Sequence, residues 1–228
     1  CSLYEYAATI GEKKSIPDIV IFVASGTLLL LCGAYRPVYL TVLLVAEVLL
    51  LFIKDILLGS SKADKSVYEV WGLIYISFFL ALACKLLMSA HGLFLVTMLM
   101  LACMGCDMFA YFVGIRMGKH KLCPEISPKK SVEGSVAGFI GAVLICVVFW
   151  AIRAGFGAQA LPLWFFLLSG VVLGVVGQFG DLAASMVKRK FGAKDYSNVL
   201  PGHGGFLDRI DSILFGAAAI YVLIALLL

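Results

Sequence analysis

The chain has 228 residues, of which 62% are hydrophobic and only 14% charged, with a formal net charge of +4 at pH 7. A water-soluble domain normally carries roughly 25% charged residues, so this chain is short of surface-forming groups and lipid must be its main solvent. The modest basic excess does not point to nucleic acid, because no soluble basic face accompanies it.

In chain order, Ser2–Ile16 mixes aromatic side chains with Glu12, Lys13 and Lys14 and reads as an interfacial helix. The chain opens on Cys1 with no basic region and short apolar core ahead of that segment, and one or more further crossings are expected upstream. Seven apolar stretches follow, near 17–35, 37–53, 70–88, 91–115, 136–152, 161–187 and 212–228, each close to the length of a transmembrane helix. Backbone groups in hydrocarbon must bond internally, and the ten-residue alternation of a barrel is missing. The expected fold is therefore all-α, a polytopic membrane protein of about seven crossings in one catalytic domain over 1–228. Residues 1–100 form its less specific part, and 101–228 carry the informative motifs.

Within these stretches, Glu47 marks a hydrated or bundle-facing position on the second. The pairs Gly134–Gly138 and Gly170–Gly174 have the spacing of close helix packing. Cys103 and Cys106 read as small packing residues, because no second ligand pair flanks them. An odd count of seven cysteines, most of them in apolar stretches, argues against a disulfide framework.

The basic residues sort by side. The segment before the first crossing and the loops after the second, fourth and sixth hold 15 of the 18 Lys and Arg, leaving only Arg36, Lys85 and Arg153 opposite. The rich side is cytoplasmic by the positive-inside rule.

Two of these loops are richer than orientation requires. The first leaves the fourth crossing, where Asp107, Tyr111 and Gly114 share a helical face at i, i+4 and i+7. A carboxylate inside the apolar run costs several kcal/mol unless paired or hydrated; Asp107 would serve equally as a structural partner for Lys or Arg. Farther on, Ser127, Lys129, Lys130 and Ser131 supply two ammonium groups and two hydroxyls around a turn stiffened by Pro128. Ser131 lies just ahead of a helix whose first N–H groups would also receive an anion.

In the second loop Asp181, Ser185 and Lys188 follow i, i+4 and i+7, with Arg189 adjacent. A glycine-rich turn, Pro201 to Gly205, then opens a helix on which Asp208, Asp211 and Ser212 share a face. Hard divalent cations take oxygen ligands, and Asp181, Asp208 and Asp211 from two helix ends would supply them. Nearby lysines and arginines suit the oligophosphate such a metal holds, and Gly202, Gly204 and Gly205 let the backbone approach a phosphate. Phosphoryl and nucleotidyl transfer need mostly in-line positioning and neutralised charge. One such loop alone is usually just solvated; two on the same side, each with carboxylates against the bilayer, favour a site. His203 reads as a phosphate donor, a general base or merely a tolerated residue between glycines.

The second loop, from Ser185, Lys188, Arg189, Gly192, Lys194 and Asp195 through Pro201, Gly202, His203, Gly204, Gly205, Leu207, Asp208, Arg209, Asp211 and Ser212, resembles the motif of the CDP-diacylglycerol synthase family (phosphatidate cytidylyltransferases). The stretch from Asp107 to Gly114, and that from Ile126 to Gly134, are similar to the family's other common block. The resemblance implies a multi-helix membrane enzyme that condenses CTP with phosphatidic acid, releasing pyrophosphate and making CDP-diacylglycerol. It implies a divalent cation, usually Mg²⁺, and a homodimer. Carried over residue by residue, it gives Asp181, Asp208 and Asp211 as metal ligands and, with Lys188 and Arg189, as the catalytic set. Ser127, Lys129, Lys130, Ser131, Ser185, Lys194, His203, Gly204, Gly205, Arg209 and Asp107 would bind substrate. The expected setting is a bacterial cytoplasmic membrane with the site facing the cytoplasm. Two other readings stay open: another CTP-dependent transferase acting on a polyprenol or ether lipid, and an ion-coupled transporter lined by Asp107, Glu47 and Asp181.

Overall fold

The computed structural model describes residues 1–11, 16–35, 37–57, 63–155, 161–199, 201–202 and 204–227. Helix dominates, in the order α1 (Ser2–Ile10), α2 (Ile16–Tyr35), α3 (Pro37–Leu57), α4 (Ala63–Gly72), α5 (Phe79–Leu87), α6 (Gly92–Met117), α7 (Val132–Gly155), α8 (Leu163–Lys190) and α9 (Leu207–Leu227). A π-helical segment, Leu73–Phe78, joins α4 to α5 without a break. Among the described residues, five helical stretches are long and apolar enough to cross a membrane: Ser66–Leu87, Gly92–Met117, Val132–Gly155, Leu163–Lys190 and Leu207–Leu227. The chain is an integral membrane protein of all-α class; α2 and α3 coincide with the first two expected apolar stretches, and neither is among the five.

Two compact units emerge, one of Cys1–Lys85 with Lys188–Ile210 and one of Leu86–Val187 with Asp211–Leu228. In the first, α1 lies against α2, α4 and the π segment. Tyr6 is its anchor: fully buried, its ring centroid 6.1 Å from that of Phe22 and 6.0 Å from that of Tyr196, its hydroxyl donating to the Tyr68 carbonyl at 2.8 Å. Gly72 makes room for that ring, since a Cβ there would meet Tyr6 directly. Helices α3 and α4 are tied by Lys54 and Glu69 at 3.1 Å. Glu47, in mid-α3, is buried as a bundle-facing residue, and neither carboxylate oxygen finds a hydrogen-bond partner among the described residues.

In the second unit, small residues let backbones touch, which is how helices associate in lipid without a hydrophobic drive between them. A Cβ on Gly134 would come within 2.6 Å of the Ala110 carbonyl, and one on Gly138 within 2.7 Å of the Cys106 carbonyl, so α6 and α7 pack at close range. Gly170 and Gly174 do the same between α8 and α7, against Val143 and Phe139. Both glycine pairs thus act as their spacing indicated. Cys103, Cys106 and Cys146 are buried free thiols in these interfaces. A polar link joins α7 to α8, where Gln178 Nε2 donates to the Ser135 carbonyl at 3.0 Å and the Ser135 hydroxyl donates back to Oε1.

Among the described residues, a small antiparallel hairpin follows α6. Strand β1 (Lys121–Cys123) pairs with β2 (Ser127–Ser131), with Lys121 opposite Ser131 and Cys123 opposite Ser127. The Pro128 region, expected as a turn, is thus a strand; at five and three residues these strands are too short to leave a periodic signal.

Candidate functional site

In the first unit the site begins where α8 ends. Lys188, Arg189 and Lys190 occupy its last turn, favourable for cations beside the free carbonyls of a helix C-terminus. The helix stops because Gly192 takes φ +69°, a left-handed conformation that costs glycine little. The Gly192 N–H donates to the Arg189 carbonyl at 3.1 Å and the Ala193 N–H to the Lys188 carbonyl at 2.9 Å, the paired bonds of a Schellman cap. That cap fixes where Lys188 and Arg189 leave the helix.

Lys188 turns inward. Its ammonium lies 2.5 Å from Asp208 Oδ1, with both side chains only 8% exposed, and 5.3 Å from the centroid of the Tyr196 ring. The other oxygen, Oδ2, accepts the Tyr196 N–H at 2.9 Å and the Gly205 N–H at 3.0 Å. Asp208 therefore links the end of α8, the loop that follows and the start of α9. Gly202 and Gly204 hold φ of +75° and +81°, so the glycine-rich turn needs residues free of a Cβ. Gly205 is glycine for a different reason: a Cβ there would meet oxygens of Glu5, Ser197 and Asp208 at 3.0 to 3.1 Å.

Glu5 was not anticipated as part of this arrangement. Buried in α1, it accepts from the Ser197 hydroxyl at 2.6 Å, the Phe206 N–H at 2.9 Å and the Leu207 N–H at 2.8 Å. The amides of residues 205, 206 and 207 thus all point at carboxylates, not at an open phosphate cradle. The sequence signal was slight: one acid in a short helix otherwise made of aromatic, aliphatic and small residues. Burial, with Tyr196, Tyr68 and Glu69 nearby, holds the neighbouring Tyr6 phenol well above its ordinary range, so it remains a neutral donor.

The second unit carries its own acid–ammonium pair. Lys130, on β2, lies 2.5 Å from Asp181 on α8, with the side chains 24% and 29% exposed, and the Ser185 hydroxyl donates to Asp181 Oδ1 at 3.4 Å. Ser131 ends the strand as the cap of α7, its hydroxyl accepting the Gly134 N–H at 3.2 Å. Glu133 accepts the Lys119 N–H at 3.2 Å and pairs with His120 Nδ1 at 2.7 Å, which fixes the corner into the hairpin. Asp211, buried on α9, accepts the Ser212 N–H at 2.7 Å, and Gly180 of α8 packs directly against its carbonyl.

The expected site residues therefore fall into two sets. Lys188, Asp208, Gly204 and Gly205 share the first; Lys130, Ser131, Asp181 and Ser185 lie in the second unit together with Asp211. Arg189, Lys194 and Arg209 are exposed, and Arg189 donates to the Ala193 carbonyl at 2.8 Å. Ser127 is half-buried and Lys129 exposed on β2. Asp107 and Tyr111 stand exposed on α6. His203 lies outside the described residues.

Among the described residues, no three His, Cys, Asp or Glu side chains are gathered closely enough to hold a metal ion. The donors nevertheless suit one in kind. Carboxylate oxygens are the ligands hard cations take, and Asp181 and Asp208 each already hold a positive group, an ammonium, at contact distance.

Five apolar helical stretches long enough to cross a bilayer, with two acid–ammonium pairs on or beside them, define an integral membrane protein. The chain belongs to the cytidylyltransferase family, whose sequence pattern matches residues 1–227. Curated relatives include the phosphatidate cytidylyltransferase of Bacillus subtilis, 46% identical over 120 residues, which are 53% of this chain and 43% of that protein. That of Thermotoga maritima is 34% identical over 159 residues, 68% of this chain and 57% of the relative. That of Mycobacterium bovis is 36% identical over 169 residues, 74% and 53% respectively. The chain thus spans about half the length of these relatives.

Proposed function

We propose that the chain is the catalytic part of a phosphatidate cytidylyltransferase, which transfers the cytidylyl group of CTP to phosphatidic acid, giving CDP-diacylglycerol and pyrophosphate. The observation that carries this reading is the buried Lys188–Asp208 pair, set within the stretch that resembles the CDP-diacylglycerol synthase motif. Membership of the cytidylyltransferase family and likeness to phosphatidate cytidylyltransferases support the same conclusion.

In the proposed reaction a phosphate oxygen of phosphatidic acid attacks the α-phosphorus of CTP. A new P–O bond forms as the bond to the β-phosphate oxygen breaks, and pyrophosphate leaves. A phosphate monoester is already anionic near pH 7, so the nucleophile needs no strong base. Lys188, Arg189, Lys129 and Lys130 bind and orient the phosphates, with the hydroxyls of Ser127, Ser131 and Ser185 and the exposed cations Lys194 and Arg209 around them. The resemblance implies a divalent cation, Mg²⁺ for choice, and gives Asp181, Asp208 and Asp211 as its carboxylate donors; such a cation would supply charge neutralisation on the pyrophosphate. His203 and Asp107 are proposed to contact substrate. The site faces the cytoplasm of a bacterial cell, where the soluble nucleotide meets the lipid; the charge asymmetry of the loops and the bacterial relatives support this. A homodimer, implied by the resemblance, completes the proposal.

The test presents purified protein in lipid nanodiscs with labelled CTP and one acceptor at a time. Phosphatidic acid should release pyrophosphate far faster than a polyprenyl phosphate or an archaeal-type ether lipid. A faster reaction with either alternative acceptor would move the chain to that substrate class.

A further inference from the structure

Three successive amides open α9, and two carboxylates consume them. Asp208 takes the Gly205 N–H from within the turn, while Glu5, about two hundred residues away in sequence, takes those of Phe206 and Leu207. A helix start with free amides is a ready seat for an oxyanion. Here the seat is filled from within the chain: both oxygens of Glu5 lie under 3 Å from donors and the residue is 1% exposed. The third donor, the Ser197 hydroxyl, ties the loop after α8 to the same carboxylate.

We propose that Glu5 is a positioning residue for the transfer reaction. Its carboxylate plugs the anion seat at the start of α9, so holding the turn that presents Gly204, Gly205 and Asp208 and keeping substrate phosphate on the lysine and arginine side. The catalytic part of this inference rests on the proposed function; the occupied seat rests on geometry alone.

Two consequences follow. Truncation should loosen the turn, and it should leave a vacancy that a small free carboxylate fits. Glu5→Ala is therefore expected to lower kcat by about a hundredfold, the cost of misplacing reacting groups by roughly an ångström, with little change in KM for CTP. Hydrogen exchange at the Phe206 and Leu207 amides should accelerate. Added formate should restore amide protection and part of kcat in a saturable manner, whereas chloride at the same ionic strength should do neither.

The experiment is amide hydrogen exchange by mass spectrometry on the full chain in nanodiscs, wild type and Glu5→Ala, across a formate titration, with steady-state kinetics on the same samples. Wild-type exchange rates in Glu5→Ala, or protection that formate and chloride restore equally, would overturn the seat. If the turn loosens and formate restores it while kcat stays at the wild-type value, the positioning role is refuted and the seat stands. The exchange readout needs no turnover, so it decides the seat even if the chain turns over another acceptor. Should Glu5→Ala fail to fold, Glu5→Gln replaces it, keeping the shape but offering one acceptor oxygen; faster exchange at one or both amides is expected, and unchanged exchange overturns the proposal.

Discussion

Removing either member of the Lys188–Asp208 pair should cost more than removing both together costs per residue. Each side chain is 8% exposed and the ammonium sits 2.5 Å from Oδ1. Breaking a buried ion pair by deleting one partner typically costs about 3–5 kcal/mol, because the other charge is left without compensation. Asp208→Asn belongs toward the upper end, since it strands Lys188 and also puts an amide where Oδ1 or Oδ2 receives its donors. Lys188→Met belongs at the lower end, because Asp208 keeps the Tyr196 and Gly205 amides at 2.9 and 3.0 Å. The double variant removes the stranded charge, so the cycle should show a coupling of about 2–3 kcal/mol. Unfolding in mixed SDS micelles can be followed by fluorescence, since the chain carries three tryptophans. Additivity within about 0.5 kcal/mol would mean that the two groups do not stabilise one another, and the buried pair would fail as the organiser of this site. The cycle also governs how activity is read: lost turnover in Asp208→Asn alone would mix damaged architecture with damaged chemistry.

Gly205→Ala should lower stability by about 1–3 kcal/mol, because its methyl group would push into three oxygens at 3.0 to 3.1 Å, and a wild-type unfolding midpoint would contradict that crowding. Glu47→Gln should leave the midpoint unchanged or raise it, since it removes a buried carboxylate lacking a hydrogen-bond partner among the described residues; a large drop would show that the acid has a stabilising role. Ser131→Ala should cost about 1 kcal/mol through loss of the α7 cap, and an unchanged midpoint would count against the bond to Gly134. Lys130→Ala, from a partly exposed pair, should cost no more than about 1 kcal/mol while raising apparent KM for a phosphate-bearing substrate; unaltered KM for both substrates would remove it from the binding set.

The helices were legible because lipid imposes long apolar runs, and the observed boundaries lie within a few residues of those runs except where α4 begins ahead of its hydrophobic part. The π segment at Leu73–Phe78 was not legible, because apolar composition is the same for α and π geometry and tertiary packing chooses between them. In the site, helical spacing correctly placed Ser185 one turn from Asp181, and the serine before α7 proved to be its cap. Spacing could not reveal what fills the start of α9. Gly204 and Gly205 read as room for a phosphate, yet the second of these glycines makes room for protein oxygens, one of them supplied by a distant helix. Nor could composition tell that Lys130 and Lys188 each have an aspartate in contact, since pairing across elements leaves no local pattern.

The most direct test of a cation-assisted cytidylyl transfer is the conversion of radiolabelled CTP and phosphatidic acid by the full chain in nanodiscs, with and without a chelator. Labelled CDP-diacylglycerol should form with one pyrophosphate per turnover, stop on chelation and resume when Mg²⁺ is restored in excess. Pyrophosphate release without labelled lipid, or turnover indifferent to the chelator, would contradict it.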